Sequence, residues 1–137
     1  MDQAPDIGAQ HARLLRLLQQ ERLALLAGEI AQARDLFAEM QALQETHIAD
    51  EESRLLPRLP QTARWPARIY IAEHRKLTSM LADLRAALAP LAAHIEDGAT
   101  RLTLLDAQMP FKHVIEHHFE REEKGLLVET STLTRTT

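Results

Sequence analysis

No cysteine occurs among the 137 residues of the chain, which removes disulfides, thiolate metal sites and cysteine nucleophiles together. That fits a reducing compartment. Aromatic residues amount to 4% and there are only four glycines, so a core must be built of leucine and alanine on long elements with few turns. The six prolines fall mostly between apolar-periodic segments. Basic residues are not in excess. The formal net charge is −4, with no basic stripe and no aromatic–basic interleaving, which argues against a dedicated nucleic-acid binder. No apolar run reaches the ~18 residues of a membrane span. Met1 to Gln10 hold two acids and no apolar run, so no signal peptide is expected. The expected location is cytoplasmic, with neither nucleic acid nor membrane as partner.

What is present is histidine, seven residues of it, in an otherwise ordinary soluble composition with 45% hydrophobic and 26% charged residues. The length suits one domain spanning 1–137. One stretch, His47-Ile48-Ala49-Asp50-Glu51-Glu52-Ser53-Arg54-Leu55-Leu56, recurs in pattern as His118-Phe119-Glu120-Arg121-Glu122-Glu123-Lys124-Gly125-Leu126-Leu127. Both copies read His, an apolar residue, two variable positions, Glu-Glu, two more, Leu-Leu. Helical positions four apart differ by only ~40° in direction, so His47/Glu51 and His118/Glu122 each point one way. An imidazole beside a carboxylate is half a metal site.

Four helices are expected, over about 7–27, 29–56, 66–96 and 99–127. Asp6 can cap the first, whose apolar stripe is His11, Leu15, Leu18, Leu25 and Leu26, and Gly28 marks the turn. Leu36, Phe37, Met40, Leu43 and His47 follow helical spacing in the second, which Pro57 ends. Pro66 suits the first position of the third, with Ile69 or Tyr70, His74, Leu77, Leu81, Leu84 and Leu88 inward. Pro90 should kink or end it, and Asp97-Gly98 reads as a turn. The fourth carries Leu104, Leu105, Phe111, Ile115, His118, Glu122 and Leu126, with a kink at Pro110. Glu129 to Thr137 reads as a frayed tail. The simplest packing is an all-α, antiparallel up-down-up-down four-helix bundle. Gln10-His11 with Leu15 and Leu18 echoes Glu73-His74 with Leu77 and Leu81, so the chain reads as two related halves.

His11, His47, Glu51, His74, His118 and Glu122 thus converge on inward faces, one His per helix and a Glu on two of them. Four imidazoles and two carboxylates suit two first-row metal ions, with the carboxylates bridging. A lone His on an apolar face is most often a hydrogen-bonded core residue, and a lone His-x-x-x-Glu a surface pair; it is the joint pattern that points to metal. Zinc and manganese accept the same donors as iron. Tyr70, one turn before His74, is a possible extra ligand, though a plain core tyrosine fits as well. His94 falls near the opposite face from His74, and His113, with His117, points ~140° away from His118, so these three are expected in solvent. Glu52, Glu73 and Glu123 stand one step off the inner face, as supporting or surface charges. No general base, nucleophile or cofactor fingerprint stands apart from the metal set.

The ordered set His11, His47-x-x-x-Glu51, His74, His118-x-x-x-Glu122, with the phrases HIADEESRLLP, AEHRKL and HFEREEKGLL, resembles the hemerythrin-like HHE cation-binding domain over about residues 7–127. The resemblance implies a bundle around two non-haem iron ions, oxo- and carboxylate-bridged, with Glu51 and Glu122 as bridges. It places His11 and His47 on one iron and His74 and His118 on the other. Members bind O₂ reversibly, sense oxygen or iron, handle NO or peroxide, or help maintain iron centres. Oxygen carriers have a second His one turn after the third-helix His, where this chain has Thr78, and their fourth-helix acid follows its His at five residues rather than four. The broader HHE group is therefore the better match. The function expected is binding of O₂, NO or peroxide, or sensing of oxygen or iron status. Alternatives are an enzyme detoxifying peroxide or NO, and an iron-responsive interaction module.

Overall fold

The computed structural model describes residues 6–136, the last five by backbone alone. Residues 1–5 and 137, on which part of the signal-peptide and tail expectations falls, lie outside the described residues. Helix α1 covers Ile7–Leu26, α2 Ile30–Asp50, α3 Ala67–Leu88, α4 Gly98–Ala107, α5 Met109–Arg121 and α6 Leu127–Thr136. A π-helical turn over Glu51–Leu55 and a 3₁₀ turn over Leu56–Arg58 extend α2, and a second π-helical turn over Glu122–Leu126 joins α5 to α6. No strand occurs among the described residues. The bundle is all-α, as the sequence reads, with its fourth limb built from α4, α5 and α6.

The hairpin α1–α2 closes through Gly28, whose φ of +78° suits glycine. A Cβ there would also collide with the Ile95 carbonyl and the Arg101 guanidinium. Ile95 N–H donates to the Gly28 carbonyl at 2.9 Å, and Arg101 Nε donates to the Ile95 carbonyl at 2.7 Å. The α1–α2 turn and the α3–α4 connector therefore sit at the same end of the bundle. α3 stops at Leu88, ended by Pro90 as expected, rather than running to 96. The Arg34 guanidinium, reaching over from α2, satisfies the freed carbonyls of Leu88 at 3.0 Å and Leu91 at 2.7 Å. Asp97, expected in a turn, instead caps α4 by accepting from Thr100 N–H at 3.0 Å. The fourth limb breaks at Gln108, two residues before Pro110. Its backbone then stays helical through Thr136, where fraying was expected.

The buried face of α1 is Ile7, His11, Leu14, Leu17, Leu18, Glu21, Ala24 and Leu25. This corrects the expected stripe: Leu14 is fully buried, Leu15 only partly, and Leu26 is 59% exposed. An acid, Glu21, lies on the inner face, so a count restricted to apolar residues slips around the helix.

Buried apolar residues form two clusters. The larger holds Leu14, Leu18, Phe37, Met40, Leu81, Phe111 and Ile115 among others. The smaller, at the α2–α3 end, holds Ile7, Leu55, Leu56, Tyr70 and Leu126. Each large side chain so buried contributes about 1.5–3 kcal/mol. Along every limb the inward histidine falls between the two clusters, which seals a polar layer from above and below.

Candidate metal centre

Within that layer the four inward histidines and both glutamates of the repeat are buried. Each copy of the repeat places them alike. Its Glu opens the π-helical turn: Leu56 N–H donates to the Glu51 carbonyl and Leu127 N–H to the Glu122 carbonyl, five residues back in both. Such single wide turns occur frequently at functional sites. The second one needs Gly125, where a Cβ would lie 2.6 Å from the Tyr70 hydroxyl and 2.7 Å from the Trp65 ring.

All four imidazoles turn Nε2 toward Glu51 and Glu122 and Nδ1 away from them. Glu122 divides its two oxygens between the halves of the chain. Its Oε1 lies 2.8 Å from His11 Nε2 and 3.5 Å from His47 Nε2; its Oε2 lies 3.2 Å from His74 Nε2 and 2.9 Å from His118 Nε2. Glu51 Oε1 contacts His47 Nε2 and lies 3.6 Å from His74 Nε2. Two groups result, His11–His47–Glu51–Glu122 and Glu51–His74–His118–Glu122, and in each the ligand atoms lie within 4.8 Å of one another.

The donor chemistry fits metal ions. Despite these contacts, His47 Nε2, His118 Nε2 and both Glu51 oxygens are buried without a hydrogen bond of acceptable geometry. Buried polar atoms left in that condition are costly. Two cations between Glu51 and Glu122 would give every one of them a partner.

In the metal-free protein protons take part of that role. Burial works against a charged His47, but the Glu122 and Glu51 carboxylates facing its Nε2 overcome it and raise its pKa to about 9. Burial is likewise outweighed at His74, which Glu122 and Glu51, with Glu52 behind, raise to about 10. His118 moves the same way against its burial, through Glu122 and Glu73. Burial resists ionisation of Glu122, yet the close approach of Glu51, His11, His118 and His47 holds its carboxyl well below the usual carboxylate range. The layer thus combines fixed anions with displaceable protons, and entering cations would release those protons.

The outer nitrogens are ordered too. Nδ1 of His11 meets Glu123 Oε2 at 3.1 Å, that of His47 meets Gln10 Oε1 at 2.7 Å, that of His74 meets Glu52 Oε2 at 2.8 Å, and that of His118 meets Glu73 Oε1 at 2.8 Å. An acceptor at each Nδ1 makes that nitrogen the donor and leaves Nε2 to face the centre. Glu52, Glu73 and Glu123, one step off the inner face, therefore support the histidines. Gln10 does the same and was not singled out for it; its place before His11, matching Glu73 before His74, was the available signal. Phe119 stacks on His11 with ring centroids 3.9 Å apart.

Tyr70 is fully buried in the smaller cluster. Burial, with the charges of Glu129 and Glu122, pushes its hydroxyl up to about 12, and the hydroxyl oxygen is buried without a hydrogen-bond partner among the described residues. His113 and His117 are exposed, and His94 pairs with Glu29 and Glu96 at the far end. None of these three joins the layer. Thr78 donates its hydroxyl to the His74 carbonyl at 2.8 Å. Among the described residues no helix is long and apolar enough to cross a membrane.

The family model for the hemerythrin HHE cation binding domain matches residues 4–130. No curated protein and no solved structure matches the chain. The chain belongs to the hemerythrin HHE cation binding domain family, and its buried His/Glu groups could hold metal.

Proposed function

From membership in this family, we propose that the protein holds two iron ions between Glu51 and Glu122 and binds O₂, NO or peroxide at them. The observation that carries the reading is the division of Glu122, one oxygen facing each pair of histidines. His11 and His47 would hold one ion, His74 and His118 the other, with Glu51 and Glu122 common to both. Iron supplies the redox change and the affinity for small ligands that the side chains lack.

The chain's own contribution is arrangement. The four Nδ1 acceptors fix the imidazole planes, Phe119 walls one side, and the two apolar clusters keep bulk water out. Two imidazoles and two shared carboxylates give each ion four protein residues. Thr78, committed to the His74 carbonyl, adds no ligand where carrier-type relatives have a histidine. Room for an exogenous ligand is therefore left at both ions. A cleft of about 430 Å³ lined by Ile48, Glu52, His74 and Thr78 opens on the α2–α3 side of the layer.

The test is an optical spectrum of iron-loaded protein before and after addition of O₂, NO and peroxide. Reversible ligand-dependent bands are expected, and they should weaken and shift in His47→Ala and His118→Ala proteins, each of which loses one of the two ion positions. A spectrum indifferent to all three ligands in protein that holds iron would refute the ligand-binding reading. Sustained consumption of peroxide or NO would turn it into an enzyme.

A further inference from the structure

The two halves share the same inner residues but not the same outer ones. The position before the first histidine of each half supports the second histidine of that half: Gln10 bonds His47, and Glu73 bonds His118. The position after each bridging Glu supports the other half: Glu52 bonds His74 and Glu123 bonds His11. This pseudo-twofold arrangement is broken at one position, an amide in the first half and a carboxylate in the second.

The surroundings fix each choice. Gln10 Nε2 donates to Asp50 Oδ2 at 2.9 Å, which turns its carbonyl oxygen toward His47. Glu73 Oε2 accepts from Arg121 Nε at 3.0 Å, leaving Oε1 for His118. Arg121 in turn lies over the Trp65 ring, 4.8 Å from its centroid. Asp50 and Arg121 reduce the contrast from a distance. They do not cancel it, because each acts through an intervening side chain and both are half-buried at the edge of the layer, whereas Glu73 and Gln10 touch the imidazoles directly. A carboxylate accepting from Nδ1 makes the opposite nitrogen a stronger donor than an amide does, since charge-assisted bonds are roughly twice as strong as neutral ones.

We infer that the two ion positions are unequal: the His74–His118 position binds its ion more tightly than the His11–His47 position, because Glu73 stands where the first half has Gln10. This rests on the two-ion reading above. A population with one ion per chain would then carry it in the second half of the sequence, and loss of iron would begin in the first half.

The test is an anaerobic titration of full-length metal-free protein with ferrous iron against a competing chelator, with native mass spectrometry counting ions per chain. The wild-type protein should show two steps separated by about tenfold more than two identical sites would show. Glu73→Gln should weaken the first step and merge the two. Gln10→Glu, made independently in case the first variant folds poorly, should strengthen the second step and also merge them. Two ions binding to the wild type with only the separation of identical sites would overturn the inequality and leave the two-ion reading intact. So would a Glu73→Gln protein whose two steps stay as far apart as in the wild type. No ion binding at all would overturn both.

Discussion

Two glutamates of this molecule are equally inaccessible and behave in opposite ways. Glu21, on α1, and Glu122, after α5, are both 0% exposed. Glu21 has one close partner, Gln108 Nε2 at 2.7 Å, and its second oxygen has none. Burial pushes its carboxyl up to about 8, with Gln108 and Arg22 offsetting only part of the effect. Glu122 is surrounded by four imidazoles and is held ionised. Burial alone therefore does not make a cation site. A single amide leaves a buried acid to neutralise itself by keeping its proton, whereas imidazoles on four limbs keep the acid charged and offer nitrogen lone pairs alongside it. One region is a tolerated polar defect in the bundle, the other a preorganised donor set.

The comparison is broken most strongly at Glu122. Glu122→Gln removes the anion common to both halves, and retained iron should drop from about two ions per chain to fewer than about one, read by elemental analysis after desalting. Next come His47→Ala and His118→Ala, each stripping one imidazole from one half. Each should keep about one ion per chain, because the other half retains both of its histidines. Equal and total loss in both variants would mean that the halves do not act as separate positions.

A third effect is on pH dependence. In metal-free protein His47 and His74 bind protons more tightly folded than unfolded, with folded values of about 9 and about 10 against an ordinary 6.5. Their stabilisation is complete below the unfolded value and disappears as pH rises through the folded ones. The melting temperature of metal-free protein should accordingly fall by roughly 5 °C or more between pH 8 and pH 10.5, and that of iron-loaded protein by less. The smallest effect is at Glu21. Its raised pKa means that ionisation costs stability as pH climbs from 4.5 to about 8. Glu21→Gln keeps an oxygen for Gln108 and should gain about 1–2 kcal/mol at neutral pH, with no gain below pH 4, by urea denaturation.

The same contrast explains which parts of the molecule were legible in the sequence. His47, Glu51, His118 and Glu122 were readable because the i, i+4 spacing put them on faces already marked by Phe37, Met40, Ile115 and Leu126. Glu21 was not, because an acid within an apolar stripe reads as a break in it, and the expected stripe moved to Leu15 and Leu26 as a result. Which outer partner meets which histidine lay beyond reach for another reason. A residue one step off the inner face, such as Glu52 or Gln10, has the same spacing whether it meets solvent or a histidine from a limb dozens of residues away. The end of α3 was legible in Pro90, but its capping was not, since Arg34 reaches from α2 to the Leu88 and Leu91 carbonyls. The two π-helical turns, which open on Glu51 and Glu122, follow from no propensity in Glu-Glu-Ser-Arg-Leu or Glu-Glu-Lys-Gly-Leu.

The central claim, a two-ion centre shared by the halves, is tested most directly by diffraction from iron-loaded crystals on either side of the iron absorption edge. The account predicts two anomalous peaks, one beside His11 and His47 and one beside His74 and His118, both in contact with Glu51 and Glu122. A single peak at full loading, or peaks at His94, His113 or His117 with the buried layer lacking any, would contradict it.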